Sequence, residues 1–427
     1  MTFIHICIIG LGYIGLPTAC TFTQHGVKVT GVDKNPNVIN SLRSGKVHIF
    51  EPGLQELVEE AINNNLLSIS EKPVEADAFI IAVPTPFKDG KKADMSYVIA
   101  AAEAIVPVLR KGNLVILEST SPPLTTKNIV LPILEKSNLK AGTDFHLAYS
   151  PERVLPGQIL RELVENARVI GGIDQESAEA GKELYGMFVK GEIILTDSTT
   201  SEMVKLMENT YRDVNIAIAN EFSRLADRFG VDVWEAIQIA NLHPRVKILN
   251  PGPGVGGHCI SVDPWFFVEA APDLTPLILT TRNVNDSQPH FVVSWILREL
   301  KNLQSKKITV LGLAYKPDVD DLRESPAVEI AKLLIDEGSD LTIYEPYKLE
   351  YQLDGAKTET SLEEAIKDAE IIVILVGHDQ FRSMNGDDVL RKTDAKIIFD
   401  TVNCINKAEW NKKGFSIFRL GDRKENL

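Results

Sequence analysis

The sequence is poor in cysteine: four cysteines are spread over 427 residues, and none forms a C-x-x-C pair. This usage excludes a disulfide-rich framework and fits a reducing compartment. The eight histidines are also scattered, without the spacing of a metal site, so we expect no bound metal. No apolar run is long enough to cross a bilayer, and the apolar start lacks the basic segment of a signal peptide. We therefore expect a cytoplasmic protein with no membrane partner.

Basic residues are outnumbered by acidic ones, 45 to 59, which gives a formal net charge of −14. Because nucleic acids are bound by basic surfaces, we expect no nucleic-acid partner. Any anionic ligand must be held by a local group of basic side chains. The composition, with 44% apolar residues, is typical of globular proteins, and the length predicts two or three domains.

A glycine motif directly follows the first apolar stretch. Residues 5–9 are predicted as a buried strand, after which Gly10-Leu11-Gly12-Tyr13-Ile14-Gly15 opens a helix as G-x-G-x-x-G. Such glycines allow a tight turn, close approach of a pyrophosphate, and close packing of helix on strand. A second predicted strand ends in Asp33, where an acid binds a ribose 2′-hydroxyl. The combination predicts NAD in preference to NADP.

Predicted strands and helices alternate in the first part of the chain and again after residue 305. This alternation predicts an α/β protein with two Rossmann-like, doubly wound parallel sheets. Residues 199–229 have the periodicity of one long central helix, which we expect to join the sheets. Lys205, Asn209 and Arg212 lie on one face of it, although a solvated polar face is the alternative interpretation. Residues 276–303 are predicted as another helix.

The second α/β segment lacks a glycine triplet at its first turn, which reads Gly312-Leu313-Ala314-Tyr315-Lys316-Pro317. We therefore expect no second dinucleotide there. Lys316 and Arg323 are local basic groups suited to an anionic part of a substrate. These patterns place an NAD-binding domain at 1–198, a central helical domain at 199–304 and a C-terminal Rossmann-like domain at 305–427.

One cysteine stands directly behind a glycine-rich loop. Four of the six positions from 252 to 257 are glycine, Cys259 follows them, and Asp263 lies one helical turn further on. Glycines let a ligand approach the main chain closely, here beside a thiol that can act as a nucleophile. On the loop alone, a buried structural cysteine is the commoner alternative.

Five motifs in order make the chain resemble the UDP-glucose/GDP-mannose dehydrogenase family over nearly its whole length. They are Gly10 to Gly15 with Asp33, Val83-Pro84-Thr85-Pro86, Ser150-Pro151-Glu152, Lys205 to Asn209, and Gly256-Gly257-His258-Cys259 with Asp263, followed by Tyr315-Lys316-Pro317 and Asp321 to Ser325.

The resemblance implies a four-electron oxidation of a sugar C6 alcohol to a carboxylate with two NAD⁺. Cys259 would trap the aldehyde as a thiohemiacetal, which becomes a thioester that water hydrolyses. Lys205 and Asn209 would stabilise developing negative charge. Asp263 would orient or activate the water, with Glu152 as a second candidate base.

The resemblance also implies ligand contacts, residue by residue. The residues that would contact NAD, besides the glycines, are Tyr13, Ile14, Asp33, Thr85, Thr120 and Arg323. Those that would contact the nucleotide sugar are Arg153, Val154, Lys205, Asn209, Arg212, His243, Arg245, Gly256, Tyr315 and Lys316. Arg245 would reach it from a neighbouring subunit of a homodimer or homotetramer.

The flank of the cysteine separates branches within the family. Where the UDP-glucose branch has Phe-Pro-Lys-Asp, this chain has Ile260-Ser261-Val262-Asp263, and residues 149–157 with His258 resemble enzymes that act on UDP-linked 2-acetamido sugars. Trp265-Phe266 resembles the UDP-N-acetylmannosamine branch, whose product serves cell-surface polysaccharide. The C2 epimer, UDP-N-acetylglucosamine, is the nearest alternative. A two-electron hydroxyacid dehydrogenase, which needs no thiol, and a non-enzymatic nucleotide-sugar sensor are more distant ones.

Overall fold

A computed structural model describes residues 3–88 and 90–423 of the chain. It divides into two compact units, one of Met1–Glu208 with Trp265–Pro272 and the other of Asn209–Pro264 with Asp273–Leu427. No helix of the described part combines the length and apolar character that a bilayer span requires.

The first unit is built on an eight-stranded sheet. Its strands, with a small hairpin β5–β6 outside the sheet, are β1 His5–Ile9, β2 Lys28–Val32, β3 Leu67–Ser70, β4 Ala78–Ile81, β5 Phe87–Lys88, β6 Lys92–Ala93, β7 Leu114–Leu117, β8 His146–Tyr149, β9 Arg168–Gly172 and β10 Ile193–Asp197. The spatial order is β10-β9-β8-β7-β4-β1-β2-β3. Neighbours pair in parallel except β8 and β9, which are antiparallel.

Seven α-helices of the described chain connect these strands, together with short 3₁₀ turns at Val106–Val108 and Glu135–Ser137 and a π-helical turn at Thr126–Val130. They are α1 Gly15–Gln24, α2 Pro36–Arg43, α3 Leu54–Asn63, α4 Ser96–Ile105, α5 Leu131–Leu134, α6 Ile159–Glu165 and α7 Gln175–Tyr185. Strand β4 is buried along its length, and so is β1 after the half-buried His5, because helices cover both faces of a parallel sheet. This core fixes the strand ends on which a site can be built.

The second unit repeats the plan with a six-stranded sheet that is parallel throughout. Its strands are β11 Lys307–Leu311, β12 Asp340–Tyr344, β13 Ala356–Thr358, β14 Ile371–Ile374, β15 Ile397–Asp400 and β16 Ser416–Arg419, in the order β13-β12-β11-β14-β15-β16. The helices after β10 are α8 Ser198–Phe229, α9 Val233–Ala240, α10 Asp263–Ala270, α11 Pro276–Asp286, α12 Gln288–Leu300, α13 Pro326–Asp336, α14 Leu362–Lys367, α15 Asp379–Arg382, α16 Gly386–Lys392 and α17 Lys407–Lys412.

The predicted fold class is confirmed: two Rossmann-like sheets are joined in sequence by α8, a helix of 32 residues. The single helix predicted over residues 276–303 is wrong, because α11 ends before Ser287 and α12 begins at Gln288. Pro289 in the first turn of α12 accounts for the break, since proline has no N–H to continue the ladder and its ring clashes with the carbonyl four residues back.

Candidate active site

The first glycine turn has the shape that a dinucleotide requires. Gly10 has a φ of +96°, and a Cβ there would lie 2.4 Å from the carbonyl oxygen of Ala82. A Cβ at Gly15 would lie 1.8 Å from the carbonyl oxygen of Gly10, so α1 packs directly on the turn. By contrast, nothing lies within 4 Å of a Cβ built at Gly12. The middle glycine therefore faces open space where a pyrophosphate can approach the main chain.

Asp33 follows β2 and is tied to the same turn. Its Oδ2 accepts a hydrogen bond from the N–H of Leu11 at 3.0 Å, and its Oδ1 accepts one from the N–H of Asn35 at 2.8 Å. The carboxylate is half-buried beside the glycine turn. This is where the sequence places an acid for the ribose of NAD, and the residues present fit that cofactor.

The remaining predicted NAD contacts are more dispersed. Thr85 follows β4 and is buried, and Thr120 follows β7 and is half-buried. Tyr13 and Ile14 are half-buried in the glycine turn. Arg323 lies in the second unit, is exposed, and pairs with Asp321 at 2.6 Å. The roles of these five residues stay predictions.

Lys205 on α8 is bound to the segment that follows β8. Its Nζ donates to the backbone carbonyl of Glu152 at 2.7 Å. The next residue, Arg153, donates from Nε to Glu208 at 3.1 Å and from Nη1 to the carbonyl of Ala167 at 3.1 Å. Val154, beside it, packs against the core. The structure thus brings Lys205, Glu152 and Arg153 together, and the Arg153 guanidinium is already engaged by the protein.

Glu152 pairs with a buried cation that was not predicted from the sequence. Arg168, the first residue of β9, is 4% exposed and forms ion pairs with Glu152 and, at 3.0 Å, with Glu118. A signal was available, because an arginine that opens an otherwise apolar strand is rarely buried without a partner. The identity of the partner was not readable, since Glu118 lies 50 positions away.

The cysteine loop closes into a helical turn that leads into α10. The carbonyl of Cys259 accepts from the N–H groups of Val262 at 3.0 Å and Asp263 at 2.8 Å. Cys259 itself is exposed, whereas Asp263 is 2% exposed. The Asp263 Oδ2 accepts a hydrogen bond from the Nδ2 of Asn209 on α8 at 2.5 Å. The predicted one-turn spacing between cysteine and acid is therefore present, and Asn209 is bound to the acid.

The glycines of this loop allow it to lie against the loop that follows β11. A Cβ at Gly257 would lie 2.7 Å from the Tyr315 ring, and one at Gly256 would lie 2.5 Å from the carbonyl oxygen of Glu324. The N–H of Gly257 donates to the carbonyl of Arg323 at 3.0 Å. Any larger side chain at Gly256 or Gly257 would separate the loops, so this contact explains both glycines.

Charged side chains of both signs lie near Lys316 and Tyr315, which are electrostatically coupled to Cys259. Burial and the neighbouring Arg212 cation lower the pKa of Lys316, while Asp321 and, to a smaller extent, the Cys259 thiolate raise it because negative charge attracts the ammonium. Burial, Asp321 and Cys259 raise the pKa of Tyr315 to about 12. Because this attraction is mutual, Lys316 favours a thiolate at Cys259 as well as an anionic ligand.

His258, next to the cysteine, and the predicted sugar contacts His243 and Arg245 remain to be placed. Burial and Arg323 lower the pKa of His258, so this imidazole is neutral at pH 7. His243 and Arg245 lie after α9, where both are exposed and the Arg245 N–H donates to His243 Nδ1 at 3.3 Å. A nucleotide-sugar contact from either stays a prediction. Within residues 3–88 and 90–423, no three His, Cys, Asp or Glu side chains are placed to hold a metal ion.

Three models of one protein family match the chain in succession. The NAD binding domain of the UDP-glucose/GDP-mannose dehydrogenase family matches residues 4–189, the central domain matches 199–287, and the UDP binding domain matches 309–407. The match confirms the resemblance found in the five motifs and confirms NAD as the cofactor that Gly10 to Gly15 and Asp33 predict.

Named relatives extend over almost the whole chain. A UDP-N-acetyl-D-mannosamine dehydrogenase of Methanococcus maripaludis is 49% identical, over 98% of this chain and 97% of its own. An NDP-N-acetyl-D-galactosaminuronic acid dehydrogenase of Ralstonia nicotianae is 46% identical, over 93% and 95%. The solved structure of a UDP-D-ManNAc dehydrogenase from Pyrococcus horikoshii superposes with a TM-score of 0.91 at 40% identity, covering 99% of this chain and 100% of that one.

Proposed function

Because the chain belongs to the UDP-glucose/GDP-mannose dehydrogenase family, it is an NAD-dependent nucleotide-sugar dehydrogenase, and we propose that it oxidises UDP-N-acetyl-D-mannosamine. The proposed product is the C6 carboxylate, formed with two NAD⁺ in a four-electron reaction. NAD supplies the oxidant, accepting one hydride from the sugar C6 in each of the two oxidations.

The observation that carries the mechanism is the Asn209–Asp263 hydrogen bond one helical turn from the exposed Cys259 thiol. A thiolate beside a held carboxylate suits covalent capture of an aldehyde followed by attack of water. Lys316 supports the thiolate form through its nearby charge. A two-electron hydroxyacid dehydrogenase has no need of this arrangement.

The chain's own residues then have distinct roles in the proposed sequence. The Cys259 sulfur bonds to the aldehyde carbon after the first oxidation, and the second oxidation converts that thiohemiacetal into a thioester. Asp263 orients the water that cleaves the C–S bond and takes up a proton as the carboxylate forms. Lys205 stabilises the alkoxide and the later oxyanion, and Asn209 adds a hydrogen bond. Glu152 is kept as a second candidate base.

The sugar assignment rests on similarity at two levels. The flank from Ile260 to Phe266 resembles the acetamido-sugar branches, and relatives near 49% identity act, by name, on UDP-N-acetyl-D-mannosamine. The Ralstonia relative, named for N-acetyl-D-galactosaminuronic acid, favours a second candidate of the same class. UDP-N-acetylglucosamine, the C2 epimer, completes the set that an assay has to separate.

The test is a panel of UDP-N-acetylmannosamine, its N-acetylglucosamine and N-acetylgalactosamine isomers, and UDP-glucose, with NADH counted per sugar consumed. We expect kcat/KM for the mannosamine substrate to exceed the others by at least about tenfold, and two NADH per sugar. A preference for another isomer would overturn the sugar assignment alone. One NADH per sugar would overturn the four-electron mechanism.

The covalent role of the thiol has its own test with a matched control. Cys259→Ala should lower turnover at least about a hundredfold, which corresponds to about 2.7 kcal/mol in the barrier. Cys404→Ala removes a thiol that is buried and whose pKa burial raises to about 12, so this variant should keep normal turnover. Full activity in Cys259→Ala would contradict the mechanism and favour a two-electron enzyme.

We further propose that two copies of the chain associate through α8. An exposed apolar stripe runs along one face of this helix: Met207, Tyr211, Ile218, Phe222, Leu225 and Phe229. The residues recur at intervals of three, four and seven, the spacing of paired helices. Phe222→Glu should shift the mass measured by light scattering from dimer or tetramer to monomer. We also propose that the three domains predicted from the sequence, at 1–198, 199–304 and 305–427, are the functional divisions of the chain.

A further inference from the structure

The first unit contains a buried cluster of four ionisable side chains, of which only Glu152 has a proposed part in the reaction. Arg168 lies at its centre, with Glu118, Glu152 and Tyr185 around it. The Arg168 Nη1 donates to Glu118 Oε1 and to Ser150 Oγ, each at 3.0 Å, and its Nη2 donates to Glu152 Oε2. The guanidinium carbon lies 3.9 Å from the centre of the Tyr185 ring.

The sheet topology explains why an arginine reaches this position. Ligand-facing residues of parallel sheets follow the carboxyl ends of strands, where Glu118 follows β7 and Glu152 follows β8. Because β9 is antiparallel to β8, with Ala148 opposite Gly172 and Tyr149 opposite Gly171, its first residue arrives at that same edge. Continuing the register places Arg168 opposite Glu152. The reversed strand therefore delivers a cation to the edge where parallel strands deliver acids.

A buried charge cluster of this kind needs a reason beyond stability. Replacing buried ion pairs by apolar side chains is often neutral or stabilising, because the charges lose their hydration. Here two carboxylates share one guanidinium, and both acids are at most 9% exposed. Burial raises the pKa of Glu118 to about 7, although Arg168 counteracts it. In the hydrogen-bond geometry, Nη1 of Arg168 is shared by Glu118 and Ser150, while Nη2 is left to Glu152.

Glu152 connects the cluster to groups assigned to the reaction. Its Oε1 accepts from the N–H of Arg153 at 2.7 Å, and its backbone carbonyl accepts from Lys205 Nζ at 2.7 Å. Its Oε2 is held by Arg168. A change in how Glu152 is held would therefore move both the Lys205 ammonium and the start of the segment that contains Arg153.

We propose that Arg168 is a positioning residue, which fixes Glu152 and, through the Glu152 carbonyl, aims Lys205. This proposal rests on the proposed function, in which Lys205 and Glu152 face the sugar. Glu118 and Tyr185 hold the other side of the guanidinium, since the Tyr185 hydroxyl donates to Glu118 Oε1 at 2.9 Å.

The decisive variant is Arg168→Lys in the full chain, which keeps the charge but loses the fork that bridges Glu118 and Glu152. We expect kcat to fall about thirtyfold, with the KM for NAD within twofold and the thermal midpoint nearly unchanged. In a Glu152→Gln background, Arg168→Lys should lower kcat less than threefold, because the side chain that Arg168 positions is already altered. An equal loss in both backgrounds, or a kcat within threefold in the single variant, would overturn the proposal.

A second measurement does not depend on turnover. The labelling rate of Lys205 by an amine-reactive reagent, read by mass spectrometry, should change at least fivefold in Arg168→Lys, while that of Lys28 stays constant. An unchanged Lys205 rate would overturn the positioning role, whatever sugar the wild type prefers. A wild type that oxidises no nucleotide sugar would instead overturn the proposed function and leave this readout intact.

A milder variant covers the case in which Arg168→Lys does not fold. Glu118→Gln keeps the shape and an acceptor oxygen but removes the competing charge, so the Arg168–Glu152 pair persists. We expect kcat within threefold of wild type and an unchanged Lys205 labelling rate. If kcat fell more than tenfold in a folded Glu118→Gln variant, Glu118 and not Arg168 would be the residue that matters, which would contradict the proposed role of Arg168.

Discussion

The six-stranded sheet has the same strand order as the β8 to β3 part of the eight-stranded sheet, but the two sheets differ in what lies at their first turn. In each, a strand leads to a glycine with positive φ, Gly10 at +96° and Gly312 at +88°, and the next strand ends in an acid. In the first sheet that acid, Asp33, is half-buried and the turn is open at Gly12. In the second, the corresponding turn positions are Ala314, which is buried, and Pro317.

The acid of the second sheet is occupied by the protein itself. Glu345 is 2% exposed, and its Oε2 accepts from the N–H groups of Leu313 at 2.7 Å and Ala314 at 2.9 Å. The N–H of Asp318 donates to Nδ1 of the buried His378, so Nε2 of that ring is the donor to Glu345 at 3.1 Å. The acid after the second strand thus lies beside a cofactor turn in the first sheet, whereas in the second it is hydrogen-bonded to its own turn.

The largest effect should come from the third glycine of the first turn. Gly15→Ala forces a Cβ into the carbonyl of Gly10, so we expect the unfolding free energy to fall by at least about 3 kcal/mol. Gly12→Ala is the matched control, because open space lies beside it, and should cost less than about 1 kcal/mol. Chemical denaturation measures both. Equal stability of the two variants would show that close packing of α1 is not what the motif secures.

A larger side chain at Gly12, where the turn is open, should weaken NAD binding and leave the fold intact. Gly12→Val fills the space beside the turn, and we expect the Kd for NAD to rise about a hundredfold, or about 2.7 kcal/mol. Calorimetric titration with NAD gives this number, and thermal unfolding without ligand should be unchanged. Retained NAD affinity would mean that the cofactor does not approach this main chain.

The acid of the second turn should matter for stability instead of binding. Burial alone would raise the pKa of Glu345, but hydrogen bonds from His378 and the backbone outweigh it and hold the pKa below 4.5. The folded state therefore favours the carboxylate, and its stabilisation is present above pH 4.5 and is lost as the pH falls through the lower folded value. Glu345→Gln should cost about 2 kcal/mol at pH 7. The difference in unfolding free energy between wild type and Glu345→Gln should become smaller in acid. A difference that grew in acid would refute the stabilising role of the Glu345 carboxylate.

The smallest effect is expected at the acid of the first turn. Asp33→Asn keeps an acceptor for the Leu11 N–H but removes the charge that binds ribose hydroxyls. The KM for NAD should rise about tenfold, or about 1.4 kcal/mol, while the KM for NADP should not rise. Steady-state rates with each cofactor measure the ratio. An unchanged preference would separate Asp33 from cofactor choice and weaken the contrast with Glu345.

Much of the fold was readable because its signals are local. Strand β1 has the predicted bounds, residues 5–9, and α8 begins one residue before its predicted start. The short edge strands β3, β13 and β16 were not predicted, since four or fewer half-exposed residues carry little periodicity.

The site was less readable because its contacts join distant positions. The Asn209–Asp263 bond spans 54 residues, and the family resemblance placed both residues in the site without predicting the bond between them. The reversed direction of β9 has no sequence signal of its own, so nothing local indicated that Arg168 would meet Glu152. Local chemistry thus predicted the glycine turn and the cysteine turn, but not the side chains that hold them.

The contact of Gly256 and Gly257 with residues 315–325 has a consequence for engineering. Since Tyr315 fills the space beside both glycines and Gly257 is hydrogen-bonded to Arg323, the two loops form one interlocked block. Grafting the cysteine loop of a relative without its partner loop would leave a gap or a collision at Tyr315. Under the proposed function, a change of sugar will therefore require exchanging residues 251–267 and 315–325 as a single cassette.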